Sequence, residues 1–416
     1  MQACSEASAD LGAACAIGAP ARGIDVGRSA MRVLLSCRDA GAALQIAPVA
    51  EALRDAGHDA RLVVSASSAA GSLLDGAFHA AVEDGPFESL DGVPASVRGR
   101  VADLLAETRP DAVVVGLADP REIGLDGLLL VAAAGRVPTL LFQDFWGETR
   151  CVDGCEPDKY LVLDAHAATL TRARTRRPTA IVGSPKHAAY ASLDRATLRR
   201  TMRDRLGIGP EERIVGYFGQ DLHRLAGYRA LLRETAEVVR HSPAERLVYR
   251  PHPREAAADV LHTRETLAAS GKLVPEVDEP RVEPWLLASD VVVSCFSTCG
   301  YDALQLARLD RSPGPTVIYA DHMADVNAVW RLSSGLDALP PVAAGAALAS
   351  AGIGLAEVLR RALAPDVSHR LHAAALRALP DARGAPRRAA RAIVEAVRAT
   401  GGALARPATA LFGSGP

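Results

Sequence analysis

The feature that most constrains this chain is a repeated alternation of short apolar segments with stretches of helical spacing. The segment MRVLLS at 31–36 is typical of a buried strand, and 42–57 has apolar residues at helical spacing and ends at Gly57. Further strands are predicted at 59–66, 77–82, 111–116, 137–142, 159–163 and 180–182, with helices over 97–107 and 125–134. This alternation predicts a doubly wound parallel sheet, so 31–183 is predicted to form one Rossmann-like domain.

A second series of the same kind follows GSPKHAAY at 183–190, where Gly and Pro favour a linker. Strands are predicted at 213–218, 246–250, 272–275, 290–294 and 316–320, and helices over 228–240, from Arg254, from Thr298 and over 355–363, 369–379 and 385–400. We therefore predict that 184–400 forms a second Rossmann-like domain, with the last helix able to return to the first. The predicted fold class is α/β, with two doubly wound domains facing across a cleft.

Composition limits what such a chain does. Of its 416 residues 49% are hydrophobic and 23% charged, which favours a buried core over disorder. The 47 Lys and Arg residues nearly balance 49 Asp and Glu residues, so no global positive field favours nucleic acid or anionic lipid. Seven scattered cysteines favour a reducing compartment. We predict a cytoplasmic protein whose partners are small molecules or glycans rather than nucleic acid.

The two ends of the chain carry no targeting pattern that we recognise. Residues 1–30 are rich in Ala, Gly and Ser and lack the basic and continuous apolar regions of a secretory signal. We interpret 1–30 as a disordered extension and 401–416 as a disordered tail. Because no run of about 18 apolar residues occurs, no membrane span is predicted. A homodimer is kept as one candidate assembly.

The first motif that carries chemistry is YRPHPRE at 249–255, directly after the predicted strand 246–250. Its two prolines hold the loop extended and remove two backbone donors. Arg250, His252 and Arg254 are then presented at the carboxyl end of the strand, where they can pair with phosphate oxygens. The motif predicts an anion-binding loop; the alternative is a turn whose Arg side chains lie in solvent.

The second motif is SCFSTCGYD at 294–302, between an apolar strand and a helix. Ser297 or Thr298 is predicted to be the N-cap, so hydroxyls and free backbone N–H groups at the positive end of the helix would favour a phosphate. Asp302 lies about one turn into the helix, where it could accept from a sugar hydroxyl or be a favourable acid of the first turn. Helix capping alone also explains Ser297 and Thr298.

Together these motifs resemble the GT-B class of nucleotide-sugar enzymes, over most of 31–335. The match is with sialyltransferase-like and glycerophosphotransferase-like capsule and teichoic-acid transferases, and with the UDP-N-acetylglucosamine 2-epimerase family. The resemblance implies that His252 and its flanking arginines, with Ser297, Thr298 and the helix of Gly300 and Asp302, hold the phosphates of the donor. Asp302 stands where many members have Glu, which leaves a role at the ribose open.

The loop GYFGQDLHR at 216–224 is the third motif. In the epimerases the corresponding loop carries a His and an Arg, and His223 and Arg224 fall at comparable places. Gly219 could permit close approach of a donor phosphate, or it could be a plain turn.

The first domain is then expected to bind the acceptor and supply a general base. Candidates that follow strands are Arg38, Asp39, Asp119, Glu122, Asp144 and Glu148. Asp144 is preferred, because Phe142, Phe145 and Trp146 could desolvate it and stack on a sugar. The predicted catalytic residues are thus Asp144, Asp119 and His252. The alternative is that these aromatic residues pack the domain interface. The acidic motif VEDG at 82–85 is a second place for the base, by its similarity to a sialyltransferase motif.

No metal or cofactor is predicted. The pairs Cys151–Cys155 and Cys295–Cys299 have three intervening residues where zinc sites usually have two, and no Asp-x-Asp occurs. Cys299 near a helix start could have a lowered pKa, or it could simply pack. The nucleotide-sugar is predicted to be a substrate.

The sequence thus predicts a metal-independent glycosyltransferase of carbohydrate biosynthesis, such as that of capsule polysaccharide, acting on a hydroxyl acceptor. Two alternatives stay open. One is an epimerase that draws on Asp119, Asp144 and Glu148, and the other is a non-catalytic nucleotide-sugar-binding module.

Overall fold

The computed structural model describes residues 30–74, 78–80, 87–119, 122–309 and 314–400. The acidic motif at 82–85, the predicted tail at 401–416 and all but the last residue of the predicted extension 1–30 lie outside the described residues.

The first sheet has seven parallel strands in the order β3-β2-β1-β4-β5-β6-β7. Its strands are β1 (Arg32–Ser36), β2 (Asp59–Ser65), β3 (Phe78–Ala80), β4 (Ala112–Gly116), β5 (Thr139–Phe142), β6 (Lys159–Val162) and β7 (Thr179–Ile181). The helices of this part are α1 (Ala40–Asp55), α2 (Ala69–Leu73), α3 (Ala95–Thr108), α4 (Leu125–Ala133) and α5 (Ala165–Thr175). A 3₁₀ segment, Pro185–Ser192, leads out of it.

The second sheet has five parallel strands in the order β12-β11-β10-β8-β9. Its strands are β8 (Ile214–Phe218), β9 (Arg246–Arg250), β10 (Val291–Ser294), β11 (Thr316–Tyr319) and β12 (Leu348–Ala349). The remaining helices are α6 (Arg195–Arg205), α7 (Ala226–His241), α8 (Ala257–Ala268), α9 (Glu283–Ala288), α10 (Thr298–Arg308), α11 (Ala324–Ser334), α12 (Pro340–Ala343), α13 (Leu355–Ala362), α14 (Pro365–Ala378) and α15 (Ala385–Ala399). A second 3₁₀ segment, Ala382–Gly384, precedes α15.

The predicted fold class, two doubly wound parallel sheets with flanking helices, is confirmed. Apolar runs such as β4 and β8 are buried along their whole length, as expected for parallel strands covered on both faces. The segment 272–275 differs from the prediction, since it forms a single bridge between Leu273 and Leu247 and no regular strand. Pro275 lacks the N–H that a continuing ladder needs.

The last helix packs on the first sheet although it follows the second in sequence. Ala389 and Ile393 of α15 are buried in the same cluster as Val33 and Leu35 of β1. Arg388 fixes this return, because its Nε donates to the carbonyl of Val182 at 3.0 Å. Helix α15, which the sequence placed within 184–400 while allowing its return to the first domain, therefore buries its apolar face against the first sheet.

Both sheets reverse their strand order beside their first strand, between β1 and β4 and between β8 and β10. Ligands of open parallel sheets bind at such reversals, outside the carboxyl ends of the strands. Among the described residues, no helix combines the length and the apolar character needed to cross a membrane.

Candidate functional site

A cavity of about 390 Å³ lies at the carboxyl ends of strands from both sheets. The first sheet's side contributes Asp39, Leu117, Ala118, Asp119, Asp144, Phe145 and Glu148. The second sheet's side contributes Gln220, His252, Arg254, Phe296, Ser297, Thr298, Val329 and Trp330. Both predicted phosphate loops therefore meet the predicted base in one cavity.

His252 is held as a neutral hydrogen-bond donor. Its Nδ1 accepts from the backbone N–H of Arg254 at 3.1 Å, so a neutral ring carries its proton on Nε2. Burial, together with the charge of Arg254, lowers the pKa of His252 to about 4. At neutral pH this side chain can offer an N–H to an anion without gaining charge.

Glu255 holds this loop in place through buried hydrogen bonds. Its buried carboxylate accepts from the Tyr249 hydroxyl at 3.0 Å, from His223 Nε2 at 3.1 Å and from the backbone N–H of His252. A Cβ at Gly219 would lie 2.5 Å from Glu255 Oε2, so a glycine is needed there. His223 and Gly219 therefore pack against Glu255 behind the loop, and neither lines the cavity. Their contact with a donor phosphate stays a prediction of the sequence.

The second loop is fixed by helix capping and by one buried amide. Ser297 is the N-cap of α10, and its Oγ accepts from the backbone N–H of Cys299 at 3.2 Å. Gln220 Oε1 accepts from the backbone N–H groups of Cys295 at 3.1 Å and Phe296 at 3.0 Å. The loops that follow β8 and β10 are thereby held together, with the positive end of α10 at the cavity.

Two predicted donor residues on α10 have other roles. A Cβ at Gly300 would lie 2.6 Å from the Tyr319 hydroxyl oxygen, so glycine serves the packing of α10 on β11. Asp302 is 4% exposed, and its Oδ1 lies 2.7 Å from Lys186 Nζ and 2.6 Å from His187 Nε2. The carboxylate of Asp302 is therefore buried and paired within the protein and does not line the cavity, which disfavours the contact with a ribose that the sequence left open.

Two arginines that were predicted to bind donor phosphates, Arg250 and Arg224, also do not line the cavity. Arg250 donates to the carbonyl of Pro280 at 2.8 Å. Arg224 is exposed and donates to the carbonyl of Asp221 at 3.3 Å. Of the three arginines predicted to meet donor phosphates, only Arg254 lines the cavity.

Asp144 has the electrostatics of a base. Burial raises its pKa to about 6; the charge of Lys186 opposes this rise and that of Asp39 adds to it. Phe145 lines the cavity beside it. Trp146, by contrast, is 2% exposed and packs edge-on against Tyr301 of α10, with ring centroids 5.0 Å apart. Of the three aromatic residues expected to stack on a sugar, only Phe145 lines the cavity, since Phe142 is buried in the core and Trp146 packs against α10.

The other end-of-strand candidates divide into two groups. Asp39, Asp119 and Glu148 line the cavity with Asp144. Arg38 and Glu122 do not, and they form an ion pair with each other. Burial also raises the pKa of Asp39.

Sequence reasoning missed several residues of this site. Gln220 follows β8 closely, so its place at a strand end was a usable signal. Glu255 adjoins the predicted loop, but nothing local indicated that three donors would converge on it. Lys186 and Trp330 carried no signal, because only the folded chain brings them near the cavity.

In the parts of the chain that the structure describes, no group of three or more His, Cys, Asp or Glu side chains is placed to hold a metal ion. Burial raises the pKa of Cys299, so this thiol at the start of α10 is not a reactive thiolate. Its packing role is the alternative that remains.

No protein-family model matches the sequence, and no curated protein does either. Solved structures do match. The glycosyltransferase from Rickettsia africae ESF-5 is 11% identical with a TM-score of 0.58, over 89% of this chain and 98% of that one. The UDP-GlcNAc 2-epimerase from Neisseria meningitidis, bound to UDP-GlcNAc, is 13% identical with a TM-score of 0.60, over 89% and 100%. Anabaena HepE, in complex with UDP and glucose, is 13% identical with a TM-score of 0.58, over 89% and 100%.

Likeness at this level of identity concerns the fold, and it extends over nearly the whole length of each of these proteins. Two parallel sheets with a cavity at their carboxyl ends agree with it. This chain has the fold of the GT-B superfamily.

Proposed function

We propose that this chain is a glycosyltransferase that moves a sugar or related group from a nucleotide-activated donor to a hydroxyl acceptor, without a metal ion. One observation carries the proposal. Anion-binding groups of the second sheet and the carboxylate of Asp144 line the same cavity from opposite sheets.

The second sheet's side suits a departing phosphate. His252 offers Nε2–H, Arg254 a guanidinium and Thr298 a hydroxyl, and α10 begins there with its positive end. Donors fixed before the reaction stabilise charge as it develops, and they need little reorganisation. The charge of the leaving phosphate is met by these groups, so the proposed mechanism needs no metal.

The first sheet's side suits an acceptor hydroxyl. Asp144, with a pKa of about 6, is mostly ionised at neutral pH and still basic enough to take a proton. Phe145 offers an apolar face to the sugar. Attack by the acceptor oxygen at the sugar carbon would break the bond to the phosphate oxygen, while Asp144 takes the hydroxyl proton.

Epimerisation is the second candidate, and the Neisseria meningitidis neighbour has that activity in its name. It needs acid and base groups on both sides of the sugar ring. The cavity-lining carboxylates Asp39, Asp119, Asp144 and Glu148 all come from the first sheet, and the opposite side offers a neutral His252. This asymmetry favours transfer. A cytoplasmic role in capsule polysaccharide synthesis stays a prediction of the sequence.

Donor binding is tested first. Thermal shifts would be measured with UDP-, GDP-, CDP-, CMP- and dTDP-sugars on the wild type, His252→Ala and Thr298→Val. Arg254→Ala and Arg224→Ala form a matched pair, since both arginines lie in loops after strands and only Arg254 lines the cavity. We expect the stabilisation by the best donor to fall in the first three variants and to persist in Arg224→Ala. If the donor stabilises all four variants as much as the wild type, the assignment of this cavity as the donor site is contradicted.

Turnover is tested second, with the best donor and a panel of glycan acceptors. Transfer predicts that nucleotide is released with acceptor present, and that Asp144→Asn binds donor but releases none. Conversion of the donor sugar to its epimer without acceptor would establish the epimerase. Donor binding with neither product would establish a non-catalytic binding module.

A further inference from the structure

Two helices begin at the cavity, one from each sheet. Helix α1 follows its N-cap residue Asp39, helix α10 follows its N-cap residue Ser297, and both N-cap residues line the cavity. The spacing of these two helix starts is therefore one determinant of how far the first sheet's carboxylates lie from the donor loops.

The segment that joins the two sheets is bonded to α1. Gln45, on the second turn of α1 and 1% exposed, donates from Nε2 to Ser184 Oγ at 2.9 Å. Its Oε1 accepts from the Ser184 hydroxyl at 3.1 Å and from the backbone N–H of Lys186 at 3.2 Å. A buried amide with this many partners fixes the linker backbone against α1.

The same segment is bonded to α10. Asp302 lies on the second turn of α10. Its Oδ1 accepts from Lys186 Nζ at 2.7 Å and from His187 Nε2 at 2.6 Å. Burial opposes ionisation of Asp302, but Lys186 and His187 together hold its pKa at about 2. Burial lowers the pKa of His187 to about 4, so the ring is a neutral donor and Lys186 supplies the balancing charge.

The loop of Asp144 reaches the same turn of α10. Trp146 packs edge-on against Tyr301 with centroids 5.0 Å apart, and Tyr301 packs against the His187 ring at 5.4 Å. The proposed base, the linker and the donor helix therefore share one buried contact region. We call Gln45, Ser184, Lys186, His187 and Asp302 the linker clamp.

We propose that the linker clamp sets the spacing between the starts of α1 and α10, and so holds Asp144 at the distance from the donor loops that transfer requires. Gln45, Lys186 and Asp302 are positioning residues, since none of them lines the cavity. The kinetic consequence rests on the proposed function, whereas the structural part can be tested without turnover.

The structural test measures the distance between nitroxide labels on genetically encoded keto amino acids at Glu51 of α1 and Arg233 of α7, which are both exposed. The variants are Gln45→Leu, Lys186→Met and the charge-neutral pair Lys186→Met with Asp302→Asn. The pair guards against misfolding, because removing one partner of a buried ion pair leaves an uncompensated charge. Lys159→Met, at the start of β6, is the control.

We expect the distance distribution to broaden or shift in all three variants and to stay as in the wild type in Lys159→Met. Unchanged distributions in the folded variants would overturn the proposal. If the wild type transfers no sugar, the proposed function fails, but this measurement still decides the clamp.

The kinetic test compares donor affinity with kcat. Misplacement of reacting groups by about 1 Å can cost on the order of 100-fold in rate. We therefore expect Gln45→Leu, which leaves the charge of Lys186 near Asp144 in place, to lower kcat by about 10-fold or more while donor affinity changes by less than about 3-fold. Lys186→Arg, which keeps that charge, should stay closer to the wild type than Lys186→Met. A loss of donor affinity that matches the loss of kcat would overturn the proposal, because it would place the effect in the donor loop alone.

Discussion

The carboxylate of Glu255 accepts the backbone N–H of His252, three residues before it in the chain. The same carboxylate accepts the Tyr249 hydroxyl and His223 Nε2, so it joins the end of β9 and the loop after β8 to one buried charge. The Nδ1 of His252 is in turn occupied by the N–H of Arg254. The loop at 249–255 is therefore held in place by these hydrogen bonds, and Nε2–H is the donor that the neutral His252 ring leaves for a ligand.

Replacement of Glu255 should weaken donor binding without a cavity contact being removed. In Glu255→Gln the amide NH₂ replaces an oxygen that accepts from Tyr249, His223 or His252. At least one buried donor then loses its acceptor, and the loop shifts. We expect donor affinity to fall by about 10-fold, which corresponds to about 1.4 kcal/mol. Calorimetric titration with the best nucleotide-sugar would measure it. Glu357→Gln, on the surface of α13, is the control, and an equal affinity in both variants would show that Glu255 does not position the loop.

The pH dependence of transfer should report Asp144. Its pKa of about 6 means that protonation removes the base as the pH falls through that value. We expect kcat/KM to rise with pH and to level off about one unit above pH 6. His252, with a pKa of about 4, should not titrate in this range. A rate profile that is flat between pH 5 and 8 in the presence of a working acceptor would argue against Asp144 as the base.

Gly300→Ala should destabilise the fold by packing alone. Its methyl group would lie 2.6 Å from the Tyr319 hydroxyl oxygen, a contact that α10 or β11 must move to relieve. Overpacking of this kind costs about 1 to 3 kcal/mol of unfolding free energy, measurable by denaturant titration. Adding Tyr319→Phe to Gly300→Ala removes the clashing oxygen and should recover part of the lost unfolding free energy. The control is Gly99→Ala on α3, where nothing lies within 4 Å, and a stability gain of about 0.5 to 1 kcal/mol is expected.

Acid should weaken the fold through His187. Burial lowers its pKa to about 4, so between about pH 6.5 and 4 the unfolded chain binds a proton that the folded chain does not. Its contribution to stability is present above pH 6.5 and is lost as the pH falls through that window, by on the order of 2 to 3 kcal/mol. His187→Gln should lose unfolding free energy less steeply than the wild type between pH 7 and 4. His166 is exposed, so His166→Gln should show the same pH dependence as the wild type. Identical slopes of unfolding free energy against pH in all three proteins would exclude His187 as the source of the acid sensitivity.

The loops at 249–255 and 294–302 could be found from sequence because their signals are local. An apolar run predicts each strand, and the polar residues directly after it must lie at the carboxyl edge of a parallel sheet. The strand predictions for β4 and β10 agree with the structure to within one residue for the same reason. The local sequence does not show which of those polar residues faces the cavity. Arg250 and His223 follow strands, but both bond to other parts of the protein instead.

Helix α6 has capping signals at Asp194 and Gly207, but its sequence has no apolar periodicity that predicts a helix. Its segment RATLRRTMRDR contains five arginines and few apolar residues. Arg203 is nevertheless 4% exposed, and its guanidinium donates to the carbonyls of Ala288 at 3.0 Å and Gly209 at 2.6 Å. The acceptors that stabilise this helix lie on other segments, so no periodicity in the helix itself could indicate it.

The order of apolar and polar segments determined that this chain forms two parallel α/β sheets and that the loops at 249–255 and 294–302 lie at carboxyl ends of strands, because hydrophobic burial acts on patterns that repeat over a few residues. Only the tertiary structure decided that Asp302 belongs to Lys186 and His187, that Glu255 supports His252, and that α15 returns to the first sheet. Those choices depend on which partner a buried charge finds, across more than a hundred residues of chain for Asp302 and across two loops for Glu255, and on which apolar face is left to be covered.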